Sequence, residues 1–246
     1  MSIDVYEQIP VMESEKFLLR EIKDEDAKDL LKVYSDVNSV PIFNSDNCMG
    51  DFYITTMQDI NRMIDFWRLE YQNRYYVRWA IIDKKANCAI GSIELFNRKA
   101  KDYFNNCGLL RLDLRSDYEN QDMIEDILKI IIPKTKEMFA CEIIATKAVS
   151  IAKERIIALE KMDFRLSEEV LVGHDGTKYD SYYVWRCRKW LLILRKNIKN
   201  FTCQKNQRLL MFQRLIILRL EEKGILMSRM ASTNRQSVYC MLLHIL

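Results

Sequence analysis

The sequence predicts an α/β (α+β) fold: a mixed, mostly antiparallel central sheet with helices on both faces, followed by a basic, helical C-terminal tail. Three observations predict it. Segments with strand-like and helix-like apolar spacing follow one another in the order β α α β β β α β α β β, so strands alternate with helices only in the second half. The three strand segments between 76 and 114 follow each other with no helix between them. The charge changes sign near residue 187: residues 188–246 hold 12 Lys and Arg against two acids, net +10, and residues 1–187 hold 26 against 33, net −7. The expected organisation is an N-terminal arm over 1–13, one domain over 14–187 and a basic extension over 188–246.

Residues 17–23 (FLLREIK) alternate apolar and polar as a half-buried strand does. Asp24 has the chemistry of an N-cap, and Ala27, Leu30, Leu31, Val33 and Tyr34 follow at helical spacing, giving a helix over about 25–36. Pro41, Asn44, Asp46 and Gly50 mark residues 37–54 as a loop. Thr55 or Thr56 caps a second helix, to about 73, whose stripe is Met57, Ile60, Met63, Ile64, Trp67 and Leu69. Residues 76–83 and 88–96 suit a hairpin turning at 84–87, and 107–114 form a third strand after a polar loop. A helix with Met123, Ile124, Ile127, Leu128, Ile130 and Ile131 on its buried side follows, and Pro133 is expected to kink it. A strand over 143–148, a helix over 152–162 and a closing hairpin of 164–168 with 179–187, across Gly173 and Gly176, complete the order.

Composition excludes several classes. Six Gly and three Pro in 246 residues do not make a collagen-like or a Pro/Gly-rich disordered chain. No apolar run approaches the length of about 18 residues that spans a bilayer. The N-terminus carries acids and no apolar core of a secretory signal, so the seven scattered cysteines are expected to be reduced thiols of a cytoplasmic protein. Two histidines and no CxxC pair provide no zinc-ligand set, and no metal is expected.

In the extension, residues 190–200 and 208–223 have the pattern of basic amphipathic helices. Such helices can lie on anionic lipid, contact nucleic-acid phosphates, or pack on the domain or on a second copy as a homodimer. Packing is what so much Leu and Ile demands. The extension can also be sequence past a natural end near Cys187.

Four stretches, FLLREIKDEDAKDLL, WAIIDKKANCAIGSIEL, LRLDLRSDYENQDMIEDIL and IIALEKMDF, together resemble the GNAT family of N-acetyltransferases, in particular its ribosomal-protein alanine acetyltransferase branch. The resemblance covers about residues 14–187 and rests on arrangement. It implies that acetyl-CoA is the acetyl donor. Leu112, Asp113 and Leu114 would offer backbone edges to its pantetheine arm. The turn of Tyr118, Glu119, Asn120, Gln121, Asp122 and Met123 would hold its pyrophosphate. The physics of that turn is general: a helix N-terminus has unpaired N–H groups and partial positive charge, and so attracts an anion.

The sequence departs from the family pattern at this loop. Asn120 and Asp122 stand where the family has glycines, and Ala152, Arg155 and Asp163 where it has Asn, Ser and Gly. Asn120 can accept left-handed geometry. Asp122 would repel a pyrophosphate, and Asp117, Glu119, Glu125 and Asp126 add to the acidity, although acids in a first helical turn also stabilise the helix dipole.

For catalysis the candidates are Glu94, as a base for the ammonium, and Tyr183 or its neighbour Tyr182, as the acid for the leaving thiolate. Adjacent strand residues point to opposite faces, so at most one tyrosine serves. Glu94 can equally be a solvent-facing sheet residue. Trp79 and Trp185 read as packing residues, and Cys107 and Cys141 have no neighbouring histidine. The implied activity is acetyl-CoA-dependent N-acetyl transfer to a primary amine, a protein N-terminus or a small amine, by direct attack. The alternative is a catalytically inactive descendant of the fold that binds a ligand or partner.

Overall fold

In the computed structural model the described residues are 4–48, 50 and 52–186. The expected helices of the extension, and the expected boundary after 187, lie outside them.

The main sheet has eight strands in the order β1-β2-β3-β4-β5-β6-β10-β7. These are β1 (Met12–Glu13), β2 (Phe17–Glu21), β3 (Val77–Asp83), β4 (Cys88–Arg98), β5 (Cys107–Leu114), β6 (Ile143–Lys147), β7 (Arg165–Leu166) and β10 (Tyr182–Arg186). Among the described strands only β5 and β6 pair in parallel. A two-stranded ribbon of β8 (Leu171–Val172) and β9 (Lys178–Tyr179) lies outside this sheet. The helices are α1 (Ala27–Tyr34), α2 (Met57–Gln72), α3 (Gln121–Phe139) and α4 (Lys153–Lys161).

All eight residues of β5 are buried, because both faces of the central strands are covered. Alternation sorts the side chains. Trp79, Ile93, Leu112 and Leu114 pack with Ile124, Ile127, Ile131 and Leu159 of α3 and α4. Ala80, Ile82 and Ala89 pack with Leu30, Tyr34, Ile60, Ile64 and Trp67 of α1 and α2. Each fully buried large apolar side chain contributes about 1.5–3 kcal/mol.

Several details differ from the expectation. The arm is part of the domain: β1 pairs with β2, the Trp79 indole N–H donates to the Pro10 carbonyl at 2.9 Å, and Val5 is buried. Thr56 caps α2, accepting from the Asp59 N–H at 3.1 Å, but Met57 and Leu69 are exposed, so the stripe is narrower. Asp24 opens a short 3-10 turn, and α1 starts at Ala27. Helix α3 runs unbroken through Pro133, where the lost bond is to the carbonyl of Lys129; both residues are exposed, so water can satisfy that carbonyl. The expected strand over 179–187 is split, because Ser181 has φ 64° and turns the chain between β9 and β10.

Candidate functional site

The parallel ladder joins Cys107–Leu110 of β5 to Ile143–Thr146 of β6 and then stops. Strand β5 continues to Leu114, while β6 ends at Lys147. Along Arg111, Leu112, Asp113 and Leu114 no described strand pairs with that edge; only β4 pairs, on the other side. The two strands therefore diverge into a cleft. Gly91 is needed beside it, since a Cβ there would lie 2.1 Å from the Asp113 carbonyl oxygen. The register slips between Ile81 and Ile82 at this level, and the Ile90 carbonyl accepts from the Arg115 N–H at 3.0 Å as the chain leaves β5.

A 3-10 turn over Ser116–Tyr118 leads from β5 into α3. Asn120 is the N-cap, its side chain accepting from the Met123 N–H at 3.2 Å. Its φ is −129° and its ψ 155°, so the position needs no left-handed geometry. The Gln121 N–H donates to Glu154 Oε2 at 3.1 Å, across from α4. An exposed carboxylate of the chain thus sits at the helix N-terminus, as an anion would.

The acids that crowd this turn in sequence are largely paired in space. Asp117 binds Arg115 at 2.6 Å, Asp126 binds Lys16 at 2.8 Å, and Glu125 binds Lys161 at 2.8 Å and Lys129 at 3.0 Å. Hydrogen bonding from Lys161, then from Lys129 and Gln121, holds the Glu125 carboxyl down at about 2. Asp122 is exposed. Glu119 faces inward and takes both arms of Arg155, Nε and Nη2 each at 2.7 Å. Arg155 also reaches the Ile42 carbonyl, at 3.5 Å.

The α1–α2 connection lies against the cleft from the other side. Asp46 Oδ1 binds Lys147 Nζ at 2.6 Å, its Oδ2 accepts from the Tyr182 hydroxyl at 2.9 Å, and its carbonyl accepts from Arg111 Nη2 at 2.7 Å. Arg111 and Lys147 are the first residues beyond the shared ladder on their strands. Asp46 bridges the two strands where they part.

Glu94 and Asp113 point to the α1–α2 face. Glu94 is 1% exposed and bound by Arg78 Nη2 at 2.5 Å and Arg111 Nη1 at 2.9 Å. Burial would raise its carboxyl; the two guanidiniums outweigh that and hold it below the ordinary range. A carboxylate so held is a weak proton acceptor. Asp113 Oδ2 accepts from Arg78 Nη1 and from the Tyr34 hydroxyl, both at 2.9 Å, and its Oδ1 is buried with no partner among the described residues. Ser92 completes the network, 2.8 Å from both Arg78 Nη1 and the Tyr34 hydroxyl.

The remaining expected residues scatter. Leu112 and Leu114 put their side chains into the core and leave only backbone at the cleft edge. Tyr183 lies on the α3–α4 face in that same core, and burial, then the charge of Glu160, raises its hydroxyl. Tyr182 is on the other face with Asp46. Tyr118 turns away to donate to Asp83 Oδ2 at 2.9 Å, its hydroxyl pushed up to about 12 by burial and then by Asp83. Burial pushes the Cys107 and Cys141 thiols to about 12 and about 11, so neither is a ready nucleophile.

Sequence reasoning noted Arg155 only as a departure and Asp46 only as a loop marker, and gave Arg111, Lys147 and Glu154 no role. Arg111 and Lys147 are charges within apolar strands, which does not say which face or partner is meant, and Asp46 and Glu154 lie in polar stretches that give no signal.

The family model described as an acetyltransferase (GNAT) domain matches residues 16–164. Among solved structures, the chain is similar to the ribosomal-protein-S5-alanine acetyltransferase of Vibrio fischeri, with TM-score 0.56 and 14% identity over 74% of this chain and 98% of that one. It is also similar to a ribosomal L7/L12 α-N-protein acetyltransferase in complex with coenzyme A (TM-score 0.53, 12% identity, 72% of this chain and 98% of that one). A microcin C7 self-immunity acetyltransferase in complex with acetyl-CoA and AMP gives TM-score 0.54 and 16% identity over 71% of this chain and 94% of that one. These likenesses are of fold. The search of curated proteins found no match. With the matched segment spanning more than half of the 246 residues and the sheet, cleft and α3 turn arranged as described, the chain belongs to the GNAT acetyltransferase family.

Proposed function

We propose that this chain is an N-acetyltransferase that takes acetyl-CoA and delivers the acetyl group to a primary amine, a protein N-terminus or a small amine. The observation that carries the reading is the cleft: a free backbone edge along Arg111–Leu114 beside the N-terminus of α3. The residues fit coenzyme A in two respects. The free edge can pair with an amide-bearing arm as an added strand would. The N–H of Gln121 is engaged only through the exposed Glu154, which a phosphate can displace at little cost, since an exposed contact contributes about 0–1 kcal/mol. In one respect they do not fit: the buried Glu119–Arg155 pair stands across the cleft mouth.

When bound, the cofactor supplies an activated acetyl thioester. The chain's own residues position the cleft. Glu94 fixes Arg78 and Arg111, and Arg111 holds the Asp46 carbonyl. In this reading Glu94 is a positioning residue and not the base. The N-terminal amine as acceptor is supported by the activities printed for the ribosomal-protein acetyltransferases to which the chain is similar.

The Glu119–Arg155 pair favours a second reading, a non-catalytic member of the family that binds a partner. Mass spectrometry separates the two. The folded full chain, with millimolar acetyl-CoA and a panel of peptides and small amines, should give acetylated product with at least one primary amine. Absence of product from every amine sinks the transferase reading.

A further inference from the structure

We propose that the Arg155–Glu119 ion pair is a latch across the mouth of the β5–β6 cleft, and that coenzyme A is admitted only when this pair opens. The ligand's identity rests on the transferase reading; the latch itself rests on geometry.

The chain leaves β5 through the turn that holds Glu119, and leaves β6 through the segment that leads to Arg155 on α4. An ion pair between those two residues ties together the two segments that follow the diverging strands. It is bidentate, with Nε to Oε1 and Nη2 to Oε2 each at 2.7 Å. The side chains are 2% and 8% exposed, so it is no surface contact. The Ile42 carbonyl, 3.5 Å from Arg155 Nη1, brings the α1–α2 connection onto the same guanidinium. Deeper in the cleft, Asp46 joins Arg111 to Lys147. The cleft is bridged at two levels, at its root by Asp46 and at its mouth by Arg155.

The chemistry of opening follows from the charges. A ligand inserted between the segments must separate two buried ions, and removing one partner of such a pair leaves the other uncompensated. An anionic pyrophosphate offers Arg155 a replacement for the carboxylate it loses, while Glu119 turns out to solvent. An uncharged ligand offers no such exchange. The latch therefore selects for an anionic ligand and lowers its apparent affinity by the fraction of molecules in which the mouth is open.

The test is calorimetric titration of coenzyme A into the full chain, the Glu119→Gln variant and the Glu119→Gln/Arg155→Ser variant. Glu119→Gln keeps the shape and removes the charge, and the double variant also removes the buried guanidinium that Glu119→Gln leaves unpaired. Circular dichroism and unfolding midpoints without ligand verify that each is folded. If the latch is shut in at least nine-tenths of molecules, Glu119→Gln binds coenzyme A about tenfold tighter or more, and the double variant, which opens the mouth but lacks the Arg155 guanidinium, binds more tightly than the parent and less tightly than Glu119→Gln. Equal or weaker binding by both folded variants overturns the latch and, where the parent chain binds, leaves the transferase reading standing. No binding by any chain at millimolar coenzyme A overturns both. Tighter binding by a variant that acetylates none of the amines keeps the latch and overturns the transferase reading.

Discussion

The two faces of the central strands are built on different principles. Toward α3 and α4 the strands present Trp79, Ile93, Leu112 and Leu114, a dry apolar layer. Toward α1 and α2 the same strands present Arg78, Glu94, Arg111 and Asp113, two cations and two anions with exposures of 8% or less. Trp67 of α2 lies over the Arg78 guanidinium, with 4.6 Å from its carbon to the ring centroid. The apolar face tolerates imperfect partners, because dispersion and burial are non-directional. The charged face works only when each ion has its partner, so its stability is concentrated in few groups and its geometry is fixed by them. The bridge through Arg111 to Asp46 belongs to this second face, which is why the cleft is held from that side.

The strongest test of the contrast is Arg78→Met. It leaves Glu94 with one of its two guanidiniums and Asp113 with none, and removal of one member of a buried pair costs about 3–5 kcal/mol. The expected fall in unfolding midpoint is on the order of 10 °C, measured by calorimetry. Leu112→Ala on the apolar face should cost less, about 2–4 kcal/mol, through lost transfer energy and a cavity. A larger loss for Leu112→Ala than for Arg78→Met would break the comparison.

The smallest effect is the dependence on pH. The Glu94 carboxyl, ordinarily near 4.5, is held lower in the folded chain. Its contribution is therefore present above that ordinary value and is lost as the pH falls below it toward the folded value. Denaturant midpoints from about pH 6 down to about pH 3 should fall less steeply for Glu94→Gln than for the parent chain, whereas Leu112→Ala should keep the parent slope. Equal slopes for Glu94→Gln and the parent would show that this carboxylate does not couple to folding.

Strands 77–83 and 107–114 were legible because strand-forming runs bounded by polar turns are a local signal, and so was the identity of the Asn120 turn as a helix start. Glu94 stood out in the sequence as an acid within an apolar strand, but the sequence left open whether it faced the cleft or solvent, and it is buried. Its partners were not legible. Arg78, Glu94 and Arg111 sit directly opposite one another across three strands, a relation set by pairing register over 16 and 17 residues of separation. An acid without visible partners reads as reactive; with two guanidiniums it is a strut. The loop glycines mislead in a related way. Asn120 looks like a strained substitute, yet its extended backbone makes it an ordinary cap, and the obstacle at the cleft is a residue on α4, 35 positions later, whose partner Glu119 lies 36 positions away.

The strand order carries a further consequence, for the history of the molecule during synthesis. From β1 to β6 each strand pairs with the one made just before it, so the sheet can grow in step with the emerging chain, the longest closure being that from β2 to β3 across α1 and α2. The step out of sequence comes last: β10 must slot between β6 and β7 and pair with both. Until it arrives, β6 has an open side, and short β7 has no place in the sheet. An unpaired strand side is a template for another chain. The interval between the making of Lys147 and of Arg186 is thus the window in which nascent copies are exposed to cross-pairing, and the stretch that holds α4 and the ribbon sets its length.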